Sequence, residues 1–278
     1  MILERIRQLY PQLTESQKRL ADFCSTSYRE AAFMTASVMA GHLSVNEATV
    51  IRFAQRLGYC GYPDFIRDVQ AIVRTELRAR YEPESMTEPQ DPFLTTLRKE
   101  IASMQCAASQ ISPELASQVP DVLRQARRVV VIGQGISAPL ANLLSMSLRS
   151  LGMLAESPPA DALGLAMALA EVDEQWAVIA ISATSESRET ANALTYARTR
   201  GAGTVALACS PTDPCAQAAE LALICPPDDG FVLPPLGVMA TLLDAIVQTL
   251  GAQDAAGVRD RAQRFEAARQ WVLPGNSR

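Results

Sequence analysis

The chain holds a single histidine, His42, in 278 residues, and that scarcity excludes more than any other feature of its composition. A Ser-His-Asp or Cys-His arrangement needs an imidazole beside its nucleophile, and His42 stands in an N-terminal segment, away from the apolar runs of the second half. Lysine is almost as scarce beyond residue 92, where Lys99 alone remains. Moving a proton calls for a base and an acid, usually a glutamate with a histidine or lysine, so catalytic equipment is thin and no catalytic residue is assigned. The six cysteines, at 24, 60, 106, 209, 215 and 225, form no Cys-x-x-Cys pair and have no neighbouring histidine, which argues against a zinc site or a disulfide framework. They read as small buried side chains in a reducing cytoplasm. No signal peptide is visible, and charge or proline breaks the apolar stretches before they reach bilayer-spanning length, so a soluble, cytoplasmic protein with no membrane partner is expected. No internal repeat stands out.

Net acidity is present but uneven. The total of -5 conceals a head, residues 1 to 80, with 11 Lys and Arg against 8 Asp and Glu, followed by a remainder with 14 against 22. A mildly basic head on an acidic body fits a DNA-binding module carried by a separate domain, and the length allows two domains. Tyr81 to Pro92, rich in proline and acid without periodicity, reads as the linker between 1–80 and 93–278.

Within the head, Thr35 to Leu57 carries two short apolar stripes that do not continue one another. Ala36, Met39, Ala40 and Leu43 form the first; Val45 breaks the rhythm, and Val50, Phe53 and Leu57 restart it on a new face. This is a helix-turn-helix pattern. Thr35 and Asn46 are N-cap residues, and Glu47 suits the positive end of the second helix. With Val50, Phe53 and Leu57 inward, the opposite face shows Glu47, Ala48, Ile51, Arg52, Gln55 and Arg56. An arginine such as Arg52 pairs with guanine in bidentate fashion, Ile51 or Ala48 meets a thymine methyl, and Thr49 and Thr35 reach phosphates, so double-stranded operator DNA is the expected partner. A helical hairpin in an all-α core shares the pattern. Around this motif the spacing predicts helices from Ile2 to Leu9, from a Thr14–Gln17 capping box through Cys24, over Tyr28 to Phe33, and from Pro63 to about Arg80.

Beyond the linker, helices are predicted over Phe93 to Gln110 and Pro113 to Ala126. Compact apolar runs follow at Arg128–Ile132, Met153–Ala155, Ala177–Ile181, Thr204–Ala208 and Leu221–Ile224, with helical stretches near 137–151, 159–170, 187–200, 212–219, 232–250 and 254–272. Strands apolar on both faces and alternating with helices predict an α/β doubly wound parallel sheet. Ligands bind such sheets beyond the carboxyl ends of the strands, which directs attention to the loops after the first and third. The first, Gly133-Gln-Gly135-Ile-Ser137, has glycines that allow close backbone approach and a serine where a helix opens; it lacks the last glycine of a dinucleotide fingerprint, and no cofactor is expected. The second, from Ser182 through Thr184, Ser185 and Ser187 to Glu189 and Thr190, gathers hydroxyls ahead of a helix, an uncharged cradle for phosphate or another anion, although ordinary capping would use the same residues.

Gly133-x-Gly135-x-Ser137-x-x-x-Ala141, followed by Ile181-Ser182-x-Thr184-x-x-Ser187-x-Glu189, resembles the sugar isomerase (SIS) domain, a phosphosugar-binding α/β fold. The head, with Asn46-Glu-Ala-Thr-Val-Ile-Arg-Phe-Ala54 and Leu57-Gly-Tyr-Cys-Gly-Tyr-Pro-Asp-Phe65, resembles the helix-turn-helix of the RpiR family of bacterial transcriptional regulators, which places its domains in the same order. The resemblance implies a regulator, repressor or activator, that answers to a small effector such as a sugar phosphate and binds operator DNA as a homodimer or homotetramer. It implies that Ser137, Ser182, Thr184 and Ser187 cradle phosphate, with Gly133 and Gly135 in the turn, Ser185 where the family usually has glycine, and Glu189 close by. Ser44 likewise stands where the family's turn usually has glycine. Phe231 to Ala240 is apolar where many relatives start a helix with polar residues, which leaves a less polar effector open. A phosphosugar isomerase or lyase with a helical oligomerisation head, or a ligand-binding module whose head contacts protein, are the alternatives.

Overall fold

The computed structural model describes residues 2–80, 91–184, 188–225, 234 and 236–272, with backbone alone for 75–80. Its head is helical: α1 (Ile2–Leu9), α2 (Glu15–Thr26), α3 (Tyr28–Ala31), α4 (Ala36–His42), α5 (Glu47–Arg56) and α6 (Tyr62–Arg80). The caps act as the sequence predicts. The Gln17 amide donates to Thr14 Oγ1 and the Thr14 amide to Gln17 Oε1, closing the capping box before α2. Thr35 Oγ1 accepts from the Val38 amide and Asn46 Oδ1 from the Ala48 amide, so each helix of the α4–α5 pair starts on a satisfied end. Ile6, Leu20, Phe53 and Phe65 are fully buried, with Phe53 and Phe65 edge to face at 5.8 Å. The Tyr62 hydroxyl donates to the Met34 carbonyl and the Gln70 amide to that of Ala32, tying α6 to the chain between α3 and α4.

The turn between α4 and α5 carries the one non-glycine residue with positive φ among the described residues, Ser44 at 52°. A side chain in this left-handed region crowds the following carbonyl, which glycine avoids. Ser44→Gly is therefore expected to raise the head's stability by about 0.5–1 kcal/mol, after allowing for glycine's larger unfolded-state entropy, as a rise in thermal midpoint.

Two helices, α7 (Pro92–Gln110) and α8 (Pro113–Gln125), lead into the sheet, which is built from β1 (Arg128–Gly133), α9 (Ala138–Ser150), β2 (Ala155–Glu156), α10 (Ala162–Leu169), β3 (Trp176–Ser182), α11 (Arg188–Thr199), β4 (Gly203–Ala208), α12 (Pro214–Ala218) and β5 (Leu221–Ile224), and closed by α13 (Leu236–Gln253) and α14 (Ala255–Val272). All strand pairs are parallel, in the order β2-β1-β3-β4-β5. Side chains alternate between two faces, as the pleat requires. Val129, Val131, Ile179, Ile181, Val205 and Leu207 pack under α7, α8, α9 and α13, whereas Val130, Ile132, Val178, Ala180 and Ala206 pack under α10, α11 and α12. The second cluster runs without a break into the core of the head.

Two elements differ from expectation. The second strand is two residues long and lies later than Met153–Ala155, because Leu154 enters the ladder only through its carbonyl, which accepts from the Val129 amide at 2.8 Å. Helix α13 is long and apolar enough to cross a membrane, with mean hydropathy 1.3, contrary to the expectation that no such stretch exists. One face of it, Val238, Met239, Leu243, Ile246 and Leu250, is buried on the sheet, while Thr241, Asp244, Gln248 and Thr249 are exposed. At the amino ends of the strands, the Arg128 guanidinium lies 4.7 Å from the centre of the Trp176 ring and pairs with Glu156 at 2.7 Å, joining β1, β3 and β2. Helix α14 has no buried residue.

Candidate functional site

The first candidate surface is α5. Its period buries Val50, Phe53 and Ala54 and leaves Glu47, Ala48, Ile51, Arg52, Gln55 and Arg56 exposed, with Thr49 half-buried and Thr35 and Asn46 exposed at the helix starts. The residues of the predicted reading face thus share one side of one helix. They are not equally available. Arg56 Nη2 donates to the Gln12 carbonyl at 2.8 Å, which holds it toward the head's own loop, and the Thr35 and Asn46 side-chain oxygens are already helix caps. His42 lies 4.9 Å from the Phe23 ring at a tilt of 44°, within the head.

The second candidate lies at the carboxyl ends of β1 and β3. The chain leaves β1 toward β2 on one side and returns to β3 on the other, so the two loops diverge here and open the crevice in which doubly wound folds take ligands. Gly133 ends β1, and a Cβ on it would stand 2.9 Å from the Ser137 carbonyl oxygen, so the loop folds back more tightly than any side chain permits. Gly135 has φ of 54° and open space around it. The Ser137 hydroxyl is buried and does not cap α9; it accepts from the Ala183 amide at 3.0 Å and so joins the two loops. Ser182 is fully buried, and its Oγ lies 2.9 Å from Asp213 Oδ2 and 3.0 Å from the Thr184 carbonyl. Thr184 and Glu189 are exposed, Glu189 on the rim of an apolar groove between α10 and α11, a cavity of about 400 Å³. Ser185 and Ser187 lie outside the described residues.

One residue here, Asp213, escapes sequence reasoning, and another, Thr190, is named in the sequence only as a polar residue of the second loop. Asp213 is buried, its Oδ1 accepts from the Cys215 amide at 2.8 Å, and burial pushes its carboxyl above the usual range against the pull of Ser182 and the backbone amides of Cys215 and Ala216. Thr190, in the first turn of α11, is fully buried, and its Oγ1 has no hydrogen-bond partner. Leaving a hydroxyl dry and unpaired costs about 1–3 kcal/mol, which a ligand oxygen would offset. Beneath the loops, burial pushes the Cys209 thiol up to about 12, so it stays protonated and donates to the Ala183 carbonyl at 3.2 Å. Among the described residues, no group of three or more His, Cys, Asp or Glu side chains is placed to hold a metal ion. The arrangement offers glycine-freed backbone, hydroxyls and a helix start to an anion or a polyol.

Comparison with known proteins matches both parts. Residues 1–72 match the family model described as a helix-turn-helix domain of the rpiR family, and residues 122–257 match the SIS domain. An uncharacterised HTH-type transcriptional regulator of Haemophilus influenzae is 28% identical over 235 residues, spanning 80% of this chain and 79% of that protein. The HTH-type transcriptional regulator HexR of Pseudomonas aeruginosa is 27% identical over 252 residues, spanning 88% of this chain and 87% of its own. Among solved structures, the NanR protein of Vibrio vulnificus complexed with ManNAc-6P superposes with a TM-score of 0.62 at 20% identity, over 99% of this chain and all of the other, a likeness of fold.

Proposed function

The chain belongs to the RpiR family of helix-turn-helix transcriptional regulators that carry a SIS domain, and from that premise we propose that α5 reads operator DNA while the crevice above β1 and β3 binds a small phosphorylated effector that modulates it. The observation that carries the effector half is the crevice at the point where strand order reverses, edged by glycine-freed backbone, together with a buried, unpartnered hydroxyl at Thr190 in the first turn of the helix that follows the β3 loop. What carries the DNA half is one exposed helix face presenting Arg52 with Ile51, Ala48 and Gln55. We read the protein as a regulator and not an isomerase, a reading supported by the place of the one histidine in the head and by Asp213, the buried carboxylate among the described residues, being engaged by Ser182. The NanR complex with ManNAc-6P supports a sugar phosphate as the class of effector. The operator is met by a homodimer or homotetramer, since paired heads suit half-sites one helical turn apart.

Retention of the protein on its own upstream DNA, repeated with a panel of sugar phosphates and a salt series, tests this. Binding that weakens steeply with salt and shifts with one of the sugar phosphates is expected. Absence of retention together with turnover of a sugar phosphate would give the fold to the isomerase reading. The crevice makes a separate forecast: Thr190→Val should stabilise the effector-free protein by about 1 kcal/mol, by relieving an unpaired hydroxyl, while weakening the effector response. A Thr190→Val chain that melts earlier than wild type would show that the hydroxyl is already in structural use.

A further inference from the structure

Besides the packing of α6 on α7 and the apolar core they share, the head and the effector domain are joined by polar contacts at one short helix. Arg7, on α1, uses all five of its N–H donors: Nε and one Nη2 proton hold Glu4, Nη1 donates to the carbonyls of Ala216 and Ala219 at 3.2 Å each, and Nη2 also reaches the Glu220 carbonyl at 3.1 Å. These carbonyls lie at the carboxyl end of α12, where a fixed cation is favoured. The contact is returned, since Gln217 Nε2 donates to the Arg7 carbonyl at 3.1 Å while also holding the Pro211 carbonyl at 2.6 Å. At the other end of α12, one helical turn away, the N-cap is Asp213, whose Oδ2 is bound to Ser182 in the loop after β3. Ser182, Asp213, α12 and Arg7 therefore form an unbroken chain of hydrogen bonds and one rigid turn from the crevice to the first helix of the head.

We propose that α12 is a relay, with Asp213 as its positioning residue: a ligand that rearranges the loop holding Ser182 shifts Asp213, and α12 carries the shift to the seat of Arg7 and so to the stance of the DNA-reading head. The sense of the relay rests on the effector reading above, but its mechanical half stands alone and is tested alone. A chain of this kind works because Asp213 and Arg7 hold opposite ends of a five-residue helix, so that neither end moves without the other. The route runs through direct contact and needs nothing from residues 81–90.

Amide hydrogen exchange on the full chain is the test, comparing wild type, Asp213→Asn, Arg7→Met and the double variant. Asp213→Asn leaves α1 untouched, yet it should speed exchange in Ile2–Leu9 about fivefold or more, with the amides of β3 and β4 unchanged. Arg7→Met should do the same to the loop after β3, and the double variant should exchange no faster than the faster single one. Unchanged α1 exchange in Asp213→Asn, effects that multiply in the double variant, or faster exchange spread equally through β3 and β4 would each overturn the relay. Should Asp213→Asn fail to fold, Arg7→Met alone decides: no change in the loop after β3 overturns it. Inorganic phosphate added to wild type separates the two readings. Protection of residues 133–137 and 183–184 that spreads to α1 supports the relay, and protection confined to the loops overturns it. If phosphate protects neither loop, the effector reading is what fails, and the variants still decide the relay.

Discussion

Replacing Phe53 with alanine is expected to remove about 3–5 kcal/mol of stability from the head, the largest loss from any single truncation in α5. Phe53 is fully buried on the inner face of that helix, edge to face with Phe65 at 5.8 Å, and Phe65 in turn meets Tyr59 at 5.6 Å and Tyr62 at 6.1 Å. Truncation would remove the ring that Phe65 meets edge to face and leave a cavity in the core that α5 shares with α2, α4 and α6, so collapse cannot fill it. Calorimetry should show an early transition for the head, or loss of cooperativity. A melting profile within about a degree of wild type would mean that the aromatic group does not hold α5 in place.

One residue earlier, Arg52→Ala should do the opposite. Arg52 is exposed on the outer face of α5, so its truncation should leave the melting profile unchanged, yet specific operator binding should weaken by roughly 1–3 kcal/mol, about 5- to 150-fold, with sequence preference relaxed at the base pair it reads. Fluorescence polarisation against operator and scrambled duplexes measures both effects. A uniform loss on both duplexes would place Arg52 on phosphate instead of a base edge, and no loss would remove α5 from the groove. Together the neighbours separate holding the helix from using it.

These contrasts could be read from the sequence because they are local. Apolar periodicity, the Thr35 and Asn46 caps and the break at Val45 act within a few residues, and the structure has α4 and α5 where they point. The parallel sheet followed from strands apolar on both faces. The strand order put the first and third loops at one crevice, but what their hydroxyls do there was out of reach. The Ser137 hydroxyl is taken by the Ala183 amide 46 residues away, and that of Ser182 by Asp213, 31 residues on. Arg7 finds its carbonyls more than 200 residues downstream. Such partners are chosen by tertiary packing, which no window of sequence contains. Thr190 was read as one more polar residue ahead of a helix, since burial without a partner leaves no local trace.

The placement of the two indole rings has a practical corollary. Trp176 is buried at the start of β3 under the Arg128 guanidinium, and Trp271 stands largely in solvent at the end of α14, while the head has no indole at all. Emission at tryptophan wavelengths is therefore blind to the DNA-reading half of the molecule and can report on it only by proxy. A destabilised head that melts while Trp176 keeps its emission has come apart by itself. One that shifts Trp176 in the same step has taken the sheet with it, and the two halves then count as a single cooperative unit.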